Sequence, residues 1–174
     1  MPCKDIYATL GGDMDCYSNS SVAFENGKKF VINNRSKKSI CKIHIDNCLI
    51  KDNNVRKCDF FFAIRENQKF YLVELKGQSL DGAVEQIKST FNILNSKIKQ
   101  SAQDFIGVIV SSAVPKAADQ KFKTLQQKIF KEHKLMIKRK QIHLNHQRSL
   151  LEKSINKILQ LKYMSILLLQ FQFL

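Results

Sequence analysis

The 174-residue sequence predicts an α/β fold, a mixed sheet flanked by helices. Three observations carry that reading. Short apolar segments follow one another across 39–77 with alternating or continuous hydrophobicity, the mark of consecutive strands. Segment 80–98 repeats apolar residues at spacings of three and four, the mark of an amphipathic helix. Further short apolar runs then alternate with a second helix, and strands joined first as a meander and later through helices make a mixed sheet.

Taken in order, residues 1–20 are polar and contain Gly11-Gly12, which predicts a loop or a poorly packed arm. A short helix is expected over 20–30, with Val22, Ala23 and Phe24 inward. In 39–50, Cys41, Ile43, Ile45 and Leu49 share one parity while Lys42, His44 and Asp46 take the other, so period two predicts a strand. Asp52-Asn53-Asn54 is turn chemistry, and 57–65 reads as a second strand whose Phe60-Phe61-Phe62 run is buried on both faces. Another turn at 65–68 leads to a third strand over 69–77, built on Phe70, Leu72, Val73 and Leu75, and the three form an antiparallel meander.

Helix 80–98 puts Ala83, Val84, Ile87, Phe91, Leu94 and Ile98 on one face, with Ser79 as its N-cap. A buried strand is expected over 105–110, a helix opened by Pro115 through about 133, and an edge strand over 135–144. The sequence thus divides into a domain over 1–146 and an apolar tail over 147–174. That tail carries Leu150, Leu151, Ile155, Ile158 and Leu159 at helical spacing. Its last apolar run exceeds what one helix face can hide, so a homodimer is expected.

Composition bounds the function. The chain is 44% hydrophobic and 25% charged and contains 12 Phe, enough for a packed core, which excludes disorder of the whole chain. Six Gly and two Pro exclude collagen-like and low-complexity classes. The net charge is +14, and it is uneven: residues 1–112 carry 16 basic and 12 acidic side chains, residues 113–174 carry 13 and 3. A polyanion is the partner that such a field implies, the plainer reading being lysines that solvate helix surfaces. Five Cys, without a CxxC pair or a zinc spacing, predict reduced and mostly buried thiols. With no N-terminal signal pattern, the expected location is cytoplasmic. The most apolar stretch, 163–174, is too short to cross a bilayer, so no membrane association is expected.

Chemistry concentrates in Lys57-Cys58-Asp59 and in Val73-Glu74-Leu75-Lys76-Gly77. On a strand, Glu74 and Lys76 share a face while Val73 and Leu75 take the other. If the second and third strands pair through the turn at 65–68, the antiparallel register brings Asp59 toward Glu74. Two carboxylates that close repel, and a divalent cation removes the cost. Hard oxygen ligands suit Mg2+ or Mn2+, and a lysine beside them can orient or deprotonate an attacking water. That combination suits phosphodiester hydrolysis.

Here the sequence resembles the PD-(D/E)XK nuclease superfamily, whose signature is an Asp, a variable gap, then Glu or Asp, any residue, and Lys. The motif reads Cys58-Asp59, fourteen residues, then Glu74-Leu75-Lys76, and the resemblance runs from about residue 40 to 110. It implies a restriction-endonuclease-like core of helix, three-stranded antiparallel meander, helix and strand. It also implies catalytic roles for Asp59, Glu74, Lys76 and Gln86, the last from the following helix. Metal ligands would be Asp59, Glu74 and the Leu75 backbone carbonyl, with Glu25 as an upstream acid and Asp46 as its rival. Cys58 stands where the family signature has Pro, a position without a chemical role.

The implied function is a metal-dependent endonuclease that hydrolyses phosphodiester bonds in DNA. The alternatives are a catalytically silent nucleic-acid-binding protein on the same fold and a small subunit of a larger complex. Other features point less sharply. His44, His133, His143 and His146 are scattered; Lys138-Arg139-Lys140 reads as a solvated strand or a phosphate contact; Tyr7 and Tyr17 could stack on bases.

Overall fold

A computed structural model describes residues 3–75, 79–111 and 115–141, and in it the phenylalanine run forms the middle of the sheet. All five residues of β5 (Phe60–Ile64) are buried. Antiparallel neighbours flank it, β4 (Ile40–His44) on one side and β6 (Lys69–Glu74) on the other, which is the expected meander. From β6 the chain passes through α2 (Leu80–Ile98) to β7 (Phe105–Ser111), parallel to β6. It then passes through α3 (Lys116–His133) to β8 (Met136–Gln141), parallel to β7. A two-residue strand, β1 (Tyr17–Ser18), closes the other edge against β4, so the order is β1-β4-β5-β6-β7-β8.

α2 has the bounds its sequence predicts. The Ser79 side chain accepts the Gly82 amide at 3.2 Å, and Leu80, Ala83, Val84, Ile87, Phe91 and Leu94 are buried. Its close seat on the sheet depends on Gly107, where a Cβ would lie 2.8 Å from Ile87 Cγ2. This helix, α3 and α1 (Lys4–Leu10) supply Val84, Ile87, Phe122, Ile129 and Leu10 to one apolar layer, packed with Ile43, Phe61, Leu72, Phe105 and Ile109 of the sheet.

Four expectations are corrected. Among the described residues the helices cover one face only, rather than flanking the sheet. The other face, with Phe60, Phe62, Val73, Val108 and Val110, packs against Ala23 and Phe30. Those two belong to a hairpin, β2 (Val22–Glu25) and β3 (Lys28–Val31), where a helix is expected. Asn26 and Gly27 at its turn have φ of 47° and 73°, the left-handed pair that a two-residue hairpin loop demands and that a helix cannot absorb.

The last two corrections concern the N-terminal arm and its cysteines. The described part of the segment, 3–20, is not a loose arm: α1 and a 3-10 turn, Met14–Cys16, lead into β1. Nor are the thiols all reduced. Disulfides join Cys3 to Cys41 on β4 and Cys16 to Cys48 in the turn after it, leaving buried Cys58 as the free thiol. The chain divides into units Met1–Ile142 and His143–Leu174. The tail expected over 147–174 and its dimer role therefore lie outside the described residues, as do Lys76, His143 and His146.

Candidate active site

The register of β5 and β6 builds the site. Phe60 lies opposite Val73, so the next step of the same antiparallel pairing sets Asp59 opposite Glu74, both on the helix-covered face. Backbone bonds hold Asp59 there: its carbonyl accepts the Ile45 amide at 2.9 Å, and its Oδ2 accepts the Leu75 amide at 2.6 Å. The Leu75 side chain points into the opposite apolar layer. Across β6, Glu74 lies beside Ile109 of β7, and Ile109 beside Arg139 of β8, so the two carboxylates and the guanidinium fall on one row of the sheet. This row lies toward the C-terminal ends of the parallel strands β6 to β8, where open α/β sheets place their ligand sites.

Both carboxylates are deeply placed, with relative exposures of 1% for Asp59 and 0% for Glu74. Cys58 is fully buried, near both carboxylates and bonded to α2. Burial, with the nearby Glu74 and Asp59 charges, pushes its thiol far above the usual range against the opposing bond with Thr90, so it stays a thiol and is no nucleophile. Its backbone amide donates to Thr90 Oγ1 at 2.9 Å, and Thr90 in turn donates to the Gln86 carbonyl at 2.8 Å. Gln86 Nε2 donates to the Lys57 carbonyl at 2.9 Å. One turn of α2 thus clamps Lys57 and Cys58, the two residues before Asp59.

Of the residues singled out by sequence, Asp59, Glu74 and Gln86 come to one region, and Leu75 joins them through its amide. Lys76 lies outside the described residues. Glu25 is not brought there: it ends β2 opposite Lys28, in the hairpin on the other face of the sheet. Its rival Asp46 stands nearer in the network, 3.5 Å from the Lys57 ammonium. Among the described residues no group of three or more His, Cys, Asp or Glu gathers as a metal set.

No protein-family model, curated protein or solved structure matches this chain. The site must be read from its own chemistry.

Other candidates resolve into structural parts. Tyr7 and Tyr17 meet edge to face at 5.2 Å, and the Tyr17 hydroxyl donates to the Gly11 carbonyl at 2.6 Å. His44 stacks on Phe60, and His133 lies 3.9 Å from Glu132. Sequence reasoning missed Arg139 as an inward group. Its side chain is 12% exposed, and it donates to Ser111 Oγ at 2.8 Å and to Asp119 Oδ1 at 2.6 Å, tying β8 to β7 and to the first turn of α3. Alternation on β8 was the available signal, since Ile137 is buried and Arg139 shares its parity. Among the described residues no helix is long and apolar enough to cross a membrane.

Proposed function

We propose that the chain is a metal-dependent phosphodiesterase acting on nucleic acid, with DNA favoured, on a restriction-endonuclease-like core. One observation carries it: adjacent strands set Asp59 and Glu74 opposite each other on one face, at the end of the sheet where ligands bind. The element order around them, a meander followed by α2 and parallel β7, supports the same reading. So does the net charge of +14, which suits a phosphate-bearing partner.

The donor set fits Mg2+ or Mn2+. Mg2+ keeps several waters and asks for one or two carboxylates plus substrate phosphate, and two carboxylates are what the strands supply. Asp59 and Glu74 would hold it, with the Leu75 carbonyl as an implied third ligand. When bound, such an ion polarises the phosphoryl oxygen and lowers the pKa of water. Of the chain's own groups, the Leu75 amide aims one Asp59 oxygen and Gln86 fixes the segment that carries it, while the role of orienting the attacking water is the one the resemblance implies for Lys76.

The near-complete burial of Asp59 and Glu74 favours a second reading, a nuclease fold that binds nucleic acid without cutting it. The two part in a plasmid nicking assay. Nicking in Mg2+ or Mn2+ that stops in EDTA supports the enzyme, whereas tight binding with no nicking in either metal supports the silent fold. As to compartment, the two disulfides favour an oxidising compartment over the cytoplasmic location expected from sequence.

A further inference from the structure

At Lys57 and Gln86, which lead up to Asp59 in the chain and brace that segment, opens a pocket of about 400 Å3, lined by Asp46, Asn47, Arg56, Lys57, Gly82 and Gln86 among others. Two of its charges are already spent on one another. Lys57, 7% exposed, pairs with Asp46 at 3.5 Å and donates to the Asp52 carbonyl at 2.8 Å, so it serves as a wall rather than as a free cation. The first turn of α2 offers little here either, because the Gly82 amide donates to Ser79.

Arg56 differs. It is exposed, and among the described residues it makes no ion pair or side-chain hydrogen bond. The pocket therefore keeps one unneutralised guanidinium, set among amide side chains that can donate. A guanidinium presents a planar fork of donors that matches phosphate oxygens. The pocket also adjoins the proposed catalytic residues through the chain itself, since Lys57 and Asp59 flank Cys58 and Gln86 holds the Lys57 carbonyl.

We propose that this pocket takes a backbone phosphate of the bound nucleic-acid strand, with Arg56 as its charged contact. The inference rests on the nucleic-acid reading above and deepens it by locating where the strand lies next to Asp59 and Glu74. Arg56 is a binding residue in this account, and the contact is one of charge, indifferent to base sequence.

The test is binding of the full chain to a fluorescein-labelled DNA duplex in EDTA, followed by anisotropy between about 50 and 200 mM salt, so that no cleavage enters the readout. Arg56→Ala is expected to weaken binding about three- to tenfold at the low-salt end, equally for unrelated sequences, and to reduce the slope of log K against log salt by about one. Inorganic phosphate at matched ionic strength is expected to compete only weakly. Wild-type affinity and slope in R56A would overturn the assignment, as would no binding by the wild type. Complete displacement by millimolar phosphate would also overturn it, in favour of a site for the free ion. Loss of binding in R56A alongside a wild type that never nicks DNA would leave the pocket standing and remove the enzyme.

Discussion

The N-terminal part of the chain and the β5–β6–α2 centre are held together by different forces. At the centre, Phe61, Phe62, Leu72, Ile87 and Leu94 are fully or almost fully buried, and apolar burial of this kind needs no covalent help. The arm has a seven-residue helix and a two-residue strand, and α1 buries only Leu10. Such elements remove too little surface from water to offset their ordering. Cys3–Cys41 and Cys16–Cys48 do that work by bridging separations of 38 and 32 residues. The carboxylates belong to the apolar centre, while Asp46 and Asn47 of the pocket wall belong to the turn tethered through Cys48. Reduction should therefore act on the arm and the pocket wall before it touches Asp59 and Glu74.

The largest expected effect separates the two regions directly. Removing both disulfides, as C16S with C3S or by reductant, should cost about 2–4 kcal/mol for each bridge by releasing the unfolded chain. Urea midpoints with and without reductant measure it. An unchanged midpoint would mean that the arm is held by packing after all.

A smaller loss should follow from disturbing the centre. Gly107→Ala sets a methyl 2.8 Å from Ile87 Cγ2 and 3.1 Å from Ile137 Cγ1, which should cost about 1–3 kcal/mol, with the disulfides intact. Equal stability in that variant would show that α2 can shift on the sheet without penalty.

The smallest effect lies in the arm at high pH. Burial, and secondarily Tyr7, push the Tyr17 hydroxyl from 10.0 up to about 12. Because its neutral form is favoured in the fold, its contribution is complete below pH 10.0 and is lost as the pH rises through about 12. A tyrosinate absorbance titration should show a late component that Tyr17→Phe removes. A single titration of all tyrosines near the ordinary value would contradict this.

The same contrast governs what the sequence makes legible. Continuous or periodic hydrophobicity reports apolar packing, so β5 and α2 can be read with little error. Asp59 and Glu74 can be paired from strand register alone, because period two and one turn decide which residues face each other. The arm is opaque for a physical reason: 4–10 has a weak apolar stripe, and five cysteines do not reveal long-range partners. The hairpin was readable from Asn26-Gly27 between the short apolar runs Val22-Ala23-Phe24 and Phe30-Val31, but Val22, Ala23 and Phe24 also fit a helical turn. Arg139 hides in a basic triplet, where charge masks the alternation that turns it inward.

Most direct for the central claim, that Asp59 and Glu74 act as one site, is a double-mutant comparison of plasmid nicking in Mg2+. Asp59→Asn keeps an oxygen for the Leu75 amide, and Glu74→Gln keeps volume, so both variants should retain the circular dichroism of the wild type. If the pair works as a unit, each single variant loses nicking by about a hundredfold or more, and D59N/E74Q together lose no more than either alone. Nicking by either single variant at the wild-type rate, or losses that multiply in the double variant, would contradict the shared site.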